Sequence, residues 1–141
     1  MEFKDIPSPC YVLEEKLLLK NMEIFKYVKE QSGAKILLAL KGYSFWNSFP
    51  LIANYLDGIT ASGLYEAKLG AEEFKKEVHT YCPAFKDEDF DEVMECSHHI
   101  VFNSFNQLSM FEPRIKNFKK HKISYGVRVN PNYSEVSPDI Y

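Results

Sequence analysis

Hydrophobic positions along the chain fall into two alternating patterns. Short runs that are apolar, β-branched or aromatic occupy residues 35–40, 58–61, 77–81, 99–102 and 123–129, each with the length and composition of a β-strand. Between them the apolar residues spread out to a helical period. Leu18, Met22, Phe25 and Val28 fall at i, i+4, i+7 and i+10, which predicts one buried face of a helix over 14–31, ended by Ser32-Gly33. Leu64, Ala67, Ala71 and Phe74 predict a second helix over 64–74, with Ser62 as its N-cap and Gly63 in its first turn. Ser104 and Gln107 form a capping box ahead of Leu108 and Phe111, and Pro113 is expected to limit that helix.

The strand starts lie 23, 19, 22 and 24 residues apart. That is room for a turn, a helix and another turn, the crossover that joins neighbouring parallel strands. The fold class is therefore α/β with a parallel sheet. Two architectures accommodate five such units. An open, flavodoxin-like sheet acting as a binding module is complete in a chain of this length, whereas a TIM (β/α)8 barrel needs eight units and roughly 250 residues. After the fifth strand the chain runs from Asn130 to Tyr141 without another helix. The sequence is thus expected to hold the N-terminal five βα units of a TIM barrel, residues 1–141 being the first part of a longer barrel domain.

Composition narrows the functional classes. With 45% hydrophobic residues, 15% aromatics and a net charge of −3, the chain has too many core-forming residues and too small a charge imbalance for disorder. No apolar run approaches the roughly 18 residues of a membrane span. Its only arginines are Arg114 and Arg128, so it lacks the basic footprint that binding nucleic acid requires. Cys10, Cys82 and Cys96 are odd in number and irregularly spaced, and the first nine residues carry charges of both signs. Both features predict a cytoplasmic protein with reduced thiols.

Candidate chemistry begins at the end of the first strand, where an almost wholly apolar run meets Lys41-Gly42. Ligands of parallel α/β folds bind at the carboxyl ends of the strands, and partial burial there prepares a lysine for Schiff-base chemistry. A surface lysine that snorkels over apolar neighbours satisfies the same pattern. Arg128, inside an apolar strand, needs a charged or hydrogen-bonded partner. His79 with Cys82, and Cys96 with His98 and His99, match no closed zinc spacing, so no metal is expected. His79 is read as a core or barrel-interior residue, and Phe45, Trp46 and Phe49 as core.

Four ordered motifs then carry a resemblance. They are Ser8-Pro9-Cys10-Tyr11-Val12-Leu13, Leu38-Ala39-Leu40-Lys41-Gly42-Tyr43-Ser44, Gly58-Ile59-Thr60-Ala61-Ser62-Gly63-Leu64-Tyr65-Glu66 and Gly126-Val127-Arg128-Val129-Asn130-Pro131. In order and spacing the chain resembles the fold-type III pyridoxal-phosphate enzymes, the group of alanine racemase and the ornithine and diaminopimelate decarboxylases. The runs at 40–46 and 60–67, and above all Asn-Pro-Asn-Tyr-Ser-Glu-Val at 130–136, resemble the carboxynorspermidine decarboxylases within that group.

The resemblance implies an enzyme of polyamine biosynthesis: a carboxy-lyase that uses pyridoxal 5'-phosphate to convert carboxynorspermidine and carboxyspermidine to norspermidine and spermidine. It implies Lys41 as the catalytic, cofactor-binding lysine, with Ala39, Thr60, Glu66 and Arg128 around the cofactor and Asn132 and Glu135 toward the substrate. Thr60 stands where ornithine and arginine decarboxylases usually have an aspartate. Asn103, in Phe102-Asn103-Ser104, stands where the family has Phe-Asp-Ser. The resemblance also implies a homodimer, with the rest of the barrel and a C-terminal β domain beyond these residues, so that the isolated chain is expected to be inactive. The alternative within the same fold is a non-catalytic pyridoxal-phosphate-binding barrel.

Overall fold

In the computed structural model, which describes residues 3–133 and Glu135, five parallel strands form one sheet in the order β1-β2-β3-β4-β5. They are β1 (Leu37–Ala39), β2 (Gly58–Ala61), β3 (Glu77–Tyr81), β4 (His99–Phe102) and β5 (Ser124–Val127). The helices between them are α1 (Glu15–Ser32, ahead of β1), α2 (Phe49–Ile52), α3 (Leu64–Leu69), α4 (Phe90–Cys96) and α5 (Phe105–Asn117). The sequential order overturns the flavodoxin-like expectation, because in that fold the second strand lies outside the first. Sequential βα units are what a barrel wall requires. Among the described residues, no helix is long and apolar enough to cross a membrane.

Alternation along the strands separates two faces. Leu40, Ile59, Val78, Ile100 and Phe102 are buried against the helices, whereas Ala39, Thr60, His79 and His99 lie on the opposite, more open face. The register aligns the open-face residues in a row, Ala39 beside Thr60, Thr60 beside His79, His79 beside His99 and His99 beside Ser124. The helix side holds two cores. One centres on Phe49, Ile52, Ile59 and Val78, the other on Phe85, Phe90, Phe102 and Phe111. In the second, the rings of Phe90 and Phe111 stack at 3.9 Å, and Phe85 meets Phe90 edge-on at 5.5 Å. Offset and edge-to-face contacts of this kind add stability beyond the area they bury.

Several local expectations are corrected. On α1 only Met22 is buried and Leu18 half-buried, while Phe25 and Val28 remain exposed. The helix instead turns the row of Leu18, Met22 and Lys29 to the sheet, and Lys29 Nζ donates to Asp57 Oδ1 at 2.8 Å and to the Tyr55 carbonyl at 3.0 Å. Ser62 does not cap α3. Gly63 occupies that position, and Glu66 Oε2 accepts the Ser62 N–H at 2.7 Å. The helix predicted to Phe74 widens at Gly70 into a π-turn over Gly70–Phe74. A Cβ on Gly70 would lie 2.4 Å from Ile59 Cγ1, so the glycine permits α3 to close onto β2. Pro113 sits inside α5 instead of ending it; it is exposed, and so is Ser109, whose carbonyl water can satisfy. Of the three aromatics read as core, Phe49 is buried, but Phe45 and Trp46 are exposed.

Two sites hold the amino end of the sheet together. Asp57 accepts from Lys29 and, through Oδ2, from the Ile36 amide at 2.8 Å, so one carboxylate ties α1 to the starts of β1 and β2. Burial pushes its pKa up, but the hydrogen bond from Lys29, the Ile36 amide and the Lys29 charge outweigh it and hold the carboxyl below its ordinary value. A carboxyl depressed in the folded state stabilises above its unfolded pKa, and that contribution is lost as pH falls through the folded value. Gly58 is the second site, since a Cβ there would lie 2.1 Å from the Glu77 carbonyl oxygen on the adjoining strand.

In the full-length protein, Asp57→Asn is expected to lower the melting temperature at neutral pH and to flatten the decline in stability below about pH 5; an unchanged acid slope would remove Asp57 from this role. Gly58→Ala is expected to cost at least about 3 kcal/mol, because backbone cannot yield as a side chain does. Gly33→Ala should cost only about 1 kcal/mol, since Gly33 has a positive φ of 68° but open space around it. Chemical denaturation of the two variants gives the ranking, and equal losses would contradict it.

Candidate active site

Lys41 follows β1 directly, and its position is fixed by a tight turn. The N–H groups of Gly42 and Tyr43 both return to the Ala39 carbonyl, at 3.0 and 3.1 Å, while the Leu40 amide continues the ladder to the Thr60 carbonyl at 3.1 Å. Leu40 points into the first core, and Lys41 follows it within the turn. The sequence predicts partial burial for this lysine. It is exposed, and so is Ala39. Ala39 and Thr60 are paired in register at the end of β1, and both carry short side chains.

Glu66 lies in the first turn of α3, where its carboxylate takes the Ser62 amide and compensates the positive end of the helix. Arg128 lies just past the end of β5, exposed, with its amide donating to the Phe102 carbonyl at 2.8 Å. The partner that an arginine in this place requires is a phenol and not a carboxylate: Nη1 donates to Tyr81 Oη at 2.8 Å, and the guanidinium carbon stands 5.7 Å from the Tyr81 ring centroid. Tyr81 in turn donates to Asn103 Oδ1 at 2.9 Å. The sequence reading missed Tyr81. The register shows it, because Tyr81 faces the same side as Val101 and Gly126, two residues short of Asn103 and Arg128.

A second cluster lies deeper on the open face. Lys35 Nζ donates to Glu77 Oε1 at 2.5 Å, Glu77 Oε2 lies 3.2 Å from His79 Nε2, and the rings of His79 and His99 stack at 4.0 Å and 21°. The hydrogen bonds from Lys35 and then His79 hold the Glu77 carboxyl below its ordinary range, and burial followed by the nearby His79 charge lowers His99. Among the described residues this is the one group of three metal-type ligands whose atoms come within 4.8 Å of one another. It is neither of the sets considered from sequence. Imidazole lone pairs lie in the ring plane, so two nearly parallel stacked rings do not aim at a common ion, and Lys35 already holds one Glu77 oxygen. The arrangement is a charge network on the open face of the sheet, with the Lys35 side chain largely exposed.

The segment beyond β5 is described as far as Tyr133, and at Glu135; Ser134 and Asp139 lie outside the described residues. Asn132 adopts a positive φ of 53°, with its amide on Asn130 Oδ1 at 2.9 Å, and Tyr133 Oη donates to Glu135 Oε1 at 2.8 Å. Both Asn132 and Glu135 are exposed. On the other flank of Lys41, a cleft of about 490 Å³ opens between Tyr11–Leu13 and Gly42–Phe45. The structure thus places Lys41, Ala39 and Thr60 toward the β1 edge of the sheet and Arg128 with Asn103 toward the β5 edge, all near the carboxyl ends of the strands.

No family model matches the chain. Among curated proteins it is similar to a carboxynorspermidine/carboxyspermidine decarboxylase of Campylobacter jejuni, at 45% identity over 141 residues, which is 100% of this chain and 36% of that protein. It is also 41% identical over 136 residues to a carboxyaminopropylagmatine decarboxylase of Synechocystis, covering 96% of this chain and 34% of that protein. A crystal structure of carboxynorspermidine decarboxylase from Campylobacter jejuni, in complex with norspermidine, superposes with a TM-score of 0.85 at 46% identity, over 92% of this chain and 34% of that one. The chain spans about a third of the length of these relatives. The five-stranded sheet matches the N-terminal part of that structure, and by sequence and fold alike the chain is similar to the N-terminal part of the carboxynorspermidine/carboxyspermidine decarboxylases.

Proposed function

We propose that the full-length protein is a pyridoxal-phosphate-dependent carboxy-lyase of polyamine biosynthesis, converting carboxynorspermidine and carboxyspermidine to norspermidine and spermidine in the cytoplasm. The observation that carries the reading is an exposed lysine in the turn that ends the first strand, next to the register pair of Ala39 and Thr60, in a chain 45% identical to such a decarboxylase. Residues 1–141 would form the first part of its cofactor-binding barrel. A homodimer is proposed from the family resemblance.

The residues fit a flat, anionic, amine-reactive cofactor. When bound, pyridoxal phosphate supplies the ring that accepts the electron pair left by departing carbon dioxide. Lys41 would offer the amine that holds the cofactor and later yields its place to the substrate's amine. Ala39 and Thr60 would leave room for the ring, and the short Thr60 hydroxyl, where related decarboxylases have a carboxylate, adds no charge there. Glu66 would fix the Ser62 turn that borders the site. Arg128 would meet an anionic group, while Asn132 and Glu135 would accept the distal amines of the substrate. The protein's own part would be to orient the substrate on the cofactor and to supply the proton. The non-catalytic barrel retains Lys41 and binds the cofactor, but it has no use for Glu135 and releases no carbon dioxide.

Borohydride treatment of the full-length protein is expected to leave a pyridoxyl group on Lys41, and Lys41→Ala should lose both the adduct and carbon dioxide release. An adduct on Lys35 would sink the assignment, because Lys35 pairs with Glu77 some six residues, or roughly 20 Å of strand, below. Glu135→Gln is expected to lower kcat/KM for carboxynorspermidine by about 1 to 3 kcal/mol, the loss of one charge-assisted hydrogen bond. Unchanged kcat/KM, or better turnover of carboxyaminopropylagmatine, lysine or ornithine than of the carboxylated triamines, would place the protein in another branch.

A further inference from the structure

An arginine beside a polyamine site repels every amine of its ligand. Arg128 is therefore useful only toward an anionic oxygen group, and its direction has to be controlled. The structure contains a chain of contacts that does this. It starts at the capping box of α5, where Ser104 Oγ accepts the Gln107 amide at 3.1 Å and Gln107 Oε1 accepts the Asn103 amide at 2.8 Å. The Gln107 side-chain amide also donates to the Pro83 carbonyl at 3.3 Å, tying the same unit to the loop after β3. Asn103 is thereby held at the end of β4, and its Oδ1 accepts the Tyr81 hydroxyl.

The direction of these bonds matters. A carbonyl oxygen cannot donate, so the phenol proton is committed to Asn103 and the phenol lone pairs are left for Arg128 Nη1. The guanidinium is further held near the Tyr81 ring. Among the described residues, the Arg128 side chain makes no other hydrogen bond. Most of its donors stay available, and one edge is fixed. We propose that Tyr81 is a positioning residue that holds the Arg128 guanidinium ready to bind an anionic oxygen group of the ligand, either the substrate carboxylate or the cofactor phosphate. The inference rests on the decarboxylase reading above and names how one part of that site is built.

The test uses the full-length holoenzyme and the variants Tyr81→Phe, Arg128→Lys and their combination, each first shown by its melting temperature to be folded. Tyr81→Phe keeps the ring and removes only the hydroxyl. If Arg128 serves the substrate, the KM for carboxynorspermidine rises about tenfold with kcat nearly unchanged, while norspermidine, which lacks the carboxylate, inhibits as before. If it serves the cofactor, the Kd for pyridoxal phosphate rises by a similar factor while that for pyridoxal does not. In either case Tyr81→Phe adds less than about twofold in the Arg128→Lys background, because it acts through Arg128. Asn103→Leu should reproduce the loss and Asn103→Asp, which keeps an acceptor, should recover most of it; this pair decides the matter should Tyr81→Phe fail to fold. Neither constant changing, or a full Tyr81→Phe effect that persists in Arg128→Lys, overturns the proposal. Should wild-type protein release no carbon dioxide, the decarboxylase reading falls, and direct titrations of carboxynorspermidine and pyridoxal phosphate still judge Tyr81, an unchanged Kd for both in Tyr81→Phe overturning the proposal.

Discussion

Side chains on a strand alternate between two faces, and five parallel strands in one register turn that alternation into two surfaces with different duties. The helix side takes Leu40, Ile59, Val78, Ile100 and Phe102 out of water. Leu40 is committed to that core, and the turn that carries Lys41 follows it at once. The same parity, carried across the register, brings Thr60, His79 and His99 to the side of Ala39. A slip of one residue in β1 would turn Leu38 away from Ile59 and the first core. Hydrophobic burial on one face therefore selects what can do chemistry on the other.

Elements that look purely structural fix the candidate site residues more finely. The turn that returns Gly42 and Tyr43 to the Ala39 carbonyl ends β1 at the lysine. The capping box of α5 completes the first turn of a helix and also holds Asn103, and through Asn103 the Tyr81 hydroxyl. Gly58 lets β2 lie close to the Glu77 backbone, and Gly70 lets the turn after α3 close onto Ile59. These are backbone requirements. They act at a distance from the open face, yet they set the spacing of the strands that carry it.

Much of this was legible in the sequence, and the rest was not for identifiable reasons. Strands at 58–61, 77–81 and 99–102 agree with the structure residue for residue, because short β-branched runs between turns admit few alternatives. The outer strands came out shorter than predicted: each has only one neighbour within the sheet, so its ladder stops sooner. The face of α1 was misjudged because periodicity locates an apolar stripe without saying where the sheet touches it, and the Lys29 to Asp57 contact is non-local. Lys41 could be singled out as a candidate from its place after an apolar strand. Tyr81 could not, since its partners Asn103 and Arg128 lie 22 and 47 residues away and only the register joins them. Phe45 and Trp46 show the opposite failure, aromatic character that does not become core when the adjoining turn faces outward.

The acidic groups show which carboxylates of a chain that is acidic overall keep their charge open to a cation. Charge alone does not make a carboxylate available, because one already paired with a cation or helix amides has little left for a ligand. Glu77 is taken by Lys35 and His79, Asp57 by Lys29, and Glu66 by the Ser62 amide at the start of α3. Glu135 differs: its partner is the neutral hydroxyl of Tyr133, which orients the carboxylate without cancelling its charge. It also follows β5, the strand that precedes Arg128. One short segment thus carries a cation held by a phenol and an anion held by another phenol, each left with charge to offer. A ligand that bears both a carboxylate and distal amines is the kind of molecule such a segment complements.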